Sequence, residues 1–220
     1  MKSITRLSMS FQLLLLLIWS VACQSTNPVT VTVTPQNSAN WWTGWLAQPV
    51  CKPPCWQNIT PGVTTMDEAL SILENMPEIT ITFRSGDGVD WEFNKSKDEG
   101  GTLGASDEGI VDIIWLGSVS NTKLHLEEVV ATYNTPEYVK PYDCREGMCS
   151  TVLIYPDLGM LLSVFVENTG NTHNPKLEIL QGTTIDRVYF IEPGLDKFQS
   201  RIVFQDYDLI MAWKGYGEYS

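Results

Sequence analysis

Apolar residues recur at helical spacing in two places along this chain. Met66, Ala69, Leu70 and Leu73 share one face over about three turns. Thr64-Thr65-Met66-Asp67-Glu68 opens that stretch with the hydroxyl-then-acid signature of a capping box, after a Pro61-Gly62 turn. Asn75-Met76-Pro77 closes it, because asparagine tolerates a left-handed helix end and proline cannot continue a helix. About sixty residues later Leu126, Val129, Val130 and Tyr133 repeat the face, Glu127-Glu128 take the place of Asp67-Glu68, and Asn134-Thr135-Pro136 ends the segment.

Period-two and β-branched runs follow each helix. ITITFR (79–84), a Gly-Asp-Gly turn and VDWEF (89–93) predict one hairpin; TVLIY (151–155), Pro-Asp-Leu-Gly and MLLSVFV (160–166) predict another. Long polar stretches at 94–109 and 168–183 read as loops, each leading into a third strand, IVDIIWL (110–116) and IDRVYFI (185–191). A helix followed by three antiparallel strands, twice, predicts an α+β fold: two similar helix-plus-antiparallel-sheet units, 41–122 and 123–220, packed as one domain. Their sheets would offer an open face near Trp115 and Tyr189, the expected place for a partner. Leu195, Phe198 and Ile202 predict a short helix, and DLIMAWKGYGEY (208–219) an edge strand docked on the sheet.

The N-terminal pattern is different. Lys2 and Arg6 precede an apolar run from Phe11 to Trp19, broken by Gln12 and ending in Ser20-Val21-Ala22-Cys23. This is the charged-then-apolar order of a secretory signal, too short for the ~20 residues of a spanning helix, so residues 1–22 are expected to be cleaved off. Ser-Val-Ala-Cys resembles the lipobox of bacterial lipoproteins. That resemblance implies acylation of Cys23 and anchoring to the outer side of a bacterial membrane; without the lipid, the same cleavage gives a secreted protein. Residues 23–40 read as a flexible tether, uncharged and with an r.m.s. span of roughly 20 to 25 Å.

Removing residues 1–22 takes away Lys2 and Arg6 and no acid, which moves the formal charge from −12 to −14. Such a surface repels phosphate backbones, so nucleic acid is not an expected partner. Beyond Cys23 there are four cysteines, Cys51, Cys55, Cys144 and Cys149. In an exported chain they predict two disulfides, with three possible connectivities, or less simply a four-thiolate zinc site. Local pairing, 51 with 55 and 144 with 149, is expected because each pair brackets its own tight turn.

Ile59-Thr60-Pro61-Gly62-Val63-Thr64-Thr65, followed by an amphipathic helix that stops before a proline and then by a hairpin, resembles a superfamily of exported folds. It includes the tandem β-lactamase-inhibitory-protein-like and small outer-membrane-assembly-lipoprotein-like folds. The resemblance spans residues 59 to about 191 and implies a duplicated fold with a concave surface for a partner protein; it assigns no interface residue. Asn75 and Asn134 stand where that pattern has glycine.

Catalytic chemistry finds little support in the motifs. The two histidines, His125 and His173, lie in no nucleophile-elbow or H-E-x-x-H spacing, and no phosphate-binding glycine loop follows a strand. Acidic pairs such as Asp87 with Asp90, or Asp107 with Glu108, do not by sequence proximity establish the cleft of a glycosidase, and Lys97-Asp98-Glu99-Gly100-Gly101 and Ser106-Asp107-Glu108-Gly109 lack the ligand order of a calcium loop. No metal or other cofactor is expected. Aromatic side chains are the better sign of binding: Trp41, Trp42, Trp45, Trp115 and Tyr189 are the candidate binding residues. The cluster that ends at Trp56 reads mainly as a clasp folded against the core. The expected function is that of a non-enzymatic, membrane-tethered binding or scaffolding lipoprotein whose partner is an envelope or extracellular protein or a glycan. The alternative is an extracytoplasmic hydrolase that acts on glycan through acidic residues near the tryptophans.

Overall fold

Thr65 turns the chain into a helix, α1 (Met66–Glu74), through a reciprocal cap. Its hydroxyl accepts the Glu68 backbone N–H at 3.2 Å, and its own N–H donates to the Glu68 carboxylate at 3.0 Å. The backbone and hydroxyl of Thr65 hold the Glu68 carboxyl below its usual range. Met66, Ala69 and Leu73 are buried, as their spacing predicts. Asn75 ends the helix at φ −89°, not in the left-handed conformation expected of it, whereas Asn134 after α2 (Leu126–Tyr133) does adopt a positive φ of 67°. His125 stands just ahead of α2 as its N-cap, its backbone N–H donating to Glu68's counterpart Glu128 at 2.8 Å.

The computed structural model describes residue 46 and residues 49–94, 96–117, 124–171, 174–200 and 210–220. Its strands are β1 (Ile79–Arg84), β2 (Gly88–Phe93), β3 (Ser96–Ala105), β4 (Val111–Gly117), β5 (Tyr138–Arg145), β6 (Gly147–Tyr155), β7 (Met160–Asn168), β8 (Leu177–Ile179), β9 (Ile185–Ile191), β10 (Met211–Ala212) and β11 (Gly217–Tyr219). A short helix, α3 (Leu195–Gln199), follows β9.

These strands form one sheet in the order β1-β2-β3-β4-β9-β7-β6-β5-β10, with β8 joining β7 to β11. This overturns the expected α+β pair of helix-plus-sheet units: the molecule is mostly a single antiparallel sheet of eleven strands. The helix-then-strands order does occur twice along the chain, but its strands belong to one continuous sheet. The reason lies in β4 and β9. Leu116, Ile114, Val188 and Phe190 alternate with Ile113, Trp115 and Tyr189, so both strands carry large side chains on both faces and pair with each other centrally.

Two stretches expected as loops are strands, β3 and β8. Glycine makes β3 possible despite its polar sequence: a Cβ at Gly101 would lie 2.2 Å from the Trp91 ring and 2.6 Å from the Trp115 carbonyl oxygen. The missing side chain at Gly101 is the room that the Trp91 ring fills, and it lets the β4 main chain approach. The strand after α2 is β5, absent from the expected pattern, so 151–166 is the β6–β7 hairpin and not the counterpart of 79–93.

One face of the sheet carries the main core. Val89, Trp91, Leu103, Ile114, Leu116, Leu162, Val188 and Phe190 are buried together with the helix residues Ala69, Leu73, Leu126 and Val129. Trp56 belongs to this core, 3 % exposed and stacked on Trp91 with ring centroids 5.3 Å apart. The clasp reading holds for Trp56; Trp41, Trp42 and Trp45 lie outside the described residues, as do Cys23, the tether and His173. Both cysteine pairs are joined locally, Cys51 to Cys55 and Cys144 to Cys149, the latter directly opposite each other across β5 and β6. At the C-terminus β10 extends the β5 edge, and the buried Tyr219 donates its hydroxyl to the Gly215 carbonyl at 2.6 Å.

Candidate functional site

Strand alternation assigns the second face of the sheet. Directly opposed residues in antiparallel strands project to the same side, and one row runs unbroken across seven strands: Asp90, Thr102, Trp115, Tyr189, Leu161, Ile154 and Tyr138. At one end of this face Val152, Ile154, Leu161 and Ile191 pack under Phe198 of α3, with Tyr138, Ile113 and Tyr189 against them. The sequence-predicted residues Trp115 and Tyr189 meet in the middle, paired directly and both half-buried.

Arg187 completes the centre. Its guanidinium lies 5.2 Å from the Trp115 ring centroid, within cation–π range. Its Nε is 3.1 Å from the Asp186 carboxylate, an ion pair without the alignment of a hydrogen bond, since that nitrogen has no hydrogen-bonded acceptor. Burial opposes the charge on Arg187, but a hydrogen bond with Tyr189 and the neighbouring Tyr189, Asp186 and Tyr142 raise its pKa above the usual value. Burial raises the Tyr189 phenol, against the pull of Arg187. Beyond Arg187, Ser163 stands opposite it on β7 with the Tyr142 hydroxyl 3.3 Å away, and Phe165 is exposed further along the same strand.

On the other side of Trp115 the face hollows into a cavity of about 370 Å³. Its walls are Thr82, Asp90 and Glu92 on one side and Trp115 with Arg187 on the other, over a floor that includes Gly100, Gly101 and Gly117. The Thr102 hydroxyl donates to Asp90 at 2.7 Å. A Cβ at Gly117 would come within 2.8 Å of the indole nitrogen of Trp115, so the ring rests on bare backbone. That nitrogen is buried and has no hydrogen-bond acceptor. A second cavity, of about 340 Å³, lies at the opposite strand ends beside Gly62, Asp112 and Glu192, where Lys197 is already paired with Glu192 at 2.7 Å.

Among the described residues, those considered for catalysis are not brought together. His125 contacts the Gly182 carbonyl through Nδ1 at 3.0 Å, at the start of α2. Asp87 is held in the β1–β2 turn by Ser85, while Asp90 stands on the open face, and Asp107 and Glu108 occupy the turn before β4. Among the described residues no group of three or more His, Cys, Asp or Glu side chains is placed to hold a metal ion. Sequence reasoning missed Glu92, Thr102 and Arg187. The alternation of VDWEF already separates Asp90 and Glu92 from Val89, Trp91 and Phe93, and the same alternation in IDRVYFI aligns Arg187 with Tyr189. No family model, curated protein or solved structure matches this chain.

Proposed function

We propose that this chain is a membrane-tethered extracytoplasmic lipoprotein whose open sheet face binds or scaffolds a partner without catalysing a reaction. The observation that carries the reading is the Trp115–Tyr189 pair, half-buried at the middle of the face that the capped helices leave uncovered, with Arg187 packed on the indole. Aromatic side chains and arginine are the groups that dominate binding energy at protein interfaces. The Ser-Val-Ala-Cys sequence and the uncharged stretch after it support the tethered location.

The test is a pull-down from native envelope with the full chain as bait, run beside Trp115→Ala and Tyr189→Ala baits whose folding is checked by circular dichroism. The reading predicts a discrete partner retained by the parent chain and lost from both variants. Retention by both variants would move the binding site elsewhere.

The carboxylates beside Trp115 favour a second reading, glycan hydrolysis. Asp90 and Glu92 are two apart on one strand, about 6 to 7 Å between backbone positions, which is within the spacing of glycosidase carboxyl pairs. They stand side by side on one wall, however, and a glycosidase places its two groups across the scissile bond. Release of reducing sugar from purified envelope glycan, abolished by Glu92→Gln, would establish the enzyme.

A further inference from the structure

The cavity beside Trp115 has a sign. Asp90 and Glu92 on β2 bring two carboxylates to its lining. Among the described lining residues the cation is Arg187, and it already has a carboxylate of its own, Asp186 at 3.1 Å. The balance is acidic, in a chain whose formal charge is −12, so the hollow draws cations and repels anions. A volume of about 370 Å³ suits a small organic group.

Its other walls select the kind of cation. Thr82 and Thr102 add hydroxyl oxygens, and the glycine floor brings main chain where side chains would otherwise stand: a Cβ at Gly100 would lie 2.1 Å from the Trp91 carbonyl oxygen. Acceptors therefore surround the space on several sides. Trp115 adds an aromatic ring whose affinity for positive charge is visible within the fold, because Arg187 packs on it. Bare metal ions are poorly served, since the described carboxylates do not converge as a ligand set. A primary ammonium is a compact charge with three N–H donors and no acceptor, which matches acceptors on several sides and an aromatic wall.

From these groups we infer that the cavity is a binding site for a single protonated amine, held by Asp90 and Glu92 against Trp115. This deepens the reading of the open face as a binding surface and rests on it. The occupant is a lysine side chain of a partner protein, whose unbranched stem carries the charge past Trp115 to Asp90 and Glu92; an amino sugar of a glycan is the other outcome of the test.

The experiment follows the indole N–H resonance of Trp115 in the detergent-solubilised, ¹⁵N-labelled full chain, assigned by its loss in Trp115→Phe. The chain is titrated at fixed ionic strength with Nα-acetyl-lysine methylamide, glucosamine, glucose and acetate. The expected result is a saturable shift with Nα-acetyl-lysine methylamide and none with glucose or acetate, and a dissociation constant raised at least tenfold in Asp90→Asn/Glu92→Gln. Tighter binding of glucosamine than of Nα-acetyl-lysine methylamide would assign the site to a glycan and overturn the lysine. Should the double variant not fold, Glu92→Gln alone, at an exposed position, is expected to weaken binding at least threefold. No shift with either amine, an equal shift with glucose, or unchanged affinity in a folded charge variant overturns the inference. A partner whose capture still depends on Trp115 and Tyr189 would then leave the proposed function standing, whereas loss of that dependence would remove both.

Discussion

Trp115 and Tyr189 stand directly opposite each other across β4 and β9, at the place where the two halves of the sheet join. Their neighbours in the same ladder, Ile114 with Phe190 and Leu116 with Val188, point to the helix side and are buried there. The aromatic pair therefore faces the opposite side on a rigid support. A ligand seated in the acidic cavity, which Arg187 also lines, meets this pair at the cavity's edge; beyond it Ser163 is buried, and Tyr142 and Phe165 are the exposed residues.

Gly101 is a position where the sheet has no room for a side chain. Gly101→Ala would put a methyl 2.2 Å from the Trp91 ring and 2.6 Å from the main chain of β4. Overpacking against backbone costs typically 1–3 kcal/mol, and we expect a loss of about 2 to 3 kcal/mol in urea unfolding. Gly86→Ala, at a turn with nothing within 4 Å of the added methyl, is the control and should change stability by less than ~0.5 kcal/mol. Equal stability of the two variants would mean that Trp91 is not packed on Gly101.

Tyr155 predicts an alkaline sensitivity. Burial raises its phenol well above the usual value, and Tyr216 nearby adds to the effect; burial also raises Tyr189, Tyr216 and Tyr219. The folded state thus keeps phenolic protons that the unfolded chain releases, so this stability is fully present below the ordinary phenol value of about 10 and is lost as pH rises beyond it toward the raised folded values. Urea midpoints measured from pH 8 to 11 should fall above pH 10, and fall less in Tyr155→Phe. At pH 7 that variant should lie within about 1 kcal/mol of the parent, because the Tyr155 hydroxyl is buried without a hydrogen-bond partner. A loss of more than ~2 kcal/mol at pH 7 would show that the hydroxyl is satisfied.

Local pattern carried much of this fold. The capping box at Thr65 and Glu68, the turn residues of the β1–β2 hairpin, the local pairing of the four cysteines and the strands around Trp115 and Tyr189 follow from short-range pattern, with the disulfides themselves expected from an even cysteine count in an exported chain. The long-range pairing of β4 with β9 did not, because alternation specifies which face a side chain takes and not which strand lies alongside. β3 was illegible for a different reason: Lys97-Asp98-Glu99-Gly100-Gly101 has the composition of a loop, and only the Trp91 ring and the close approach of the β2 and β4 main chains explain glycine inside a strand. At the site, Trp115 and Tyr189 stood out as aromatics. Glu92 and Arg187 gain their meaning from neighbours on other strands.

Cys23 tests the location. Its replacement by alanine should move the protein from the membrane fraction to the soluble extracytoplasmic fraction. The native protein should carry more than one acyl chain by mass spectrometry, since a single chain gives only marginal membrane binding. Unchanged membrane retention of Cys23→Ala would sink the lipid anchor.

Site-specific photo-crosslinking in intact cells tests the open face most directly. A benzophenone side chain placed at Thr80, Tyr142 or Phe165 would report from the open face, and one at Ser71 or Glu127 from the exposed surfaces of the helices. The account predicts one adduct of the same partner mass from the open-face positions, absent from the helix positions and lost when Trp115→Ala is introduced alongside. Adducts from Ser71 or Glu127 with none from the open face would contradict it.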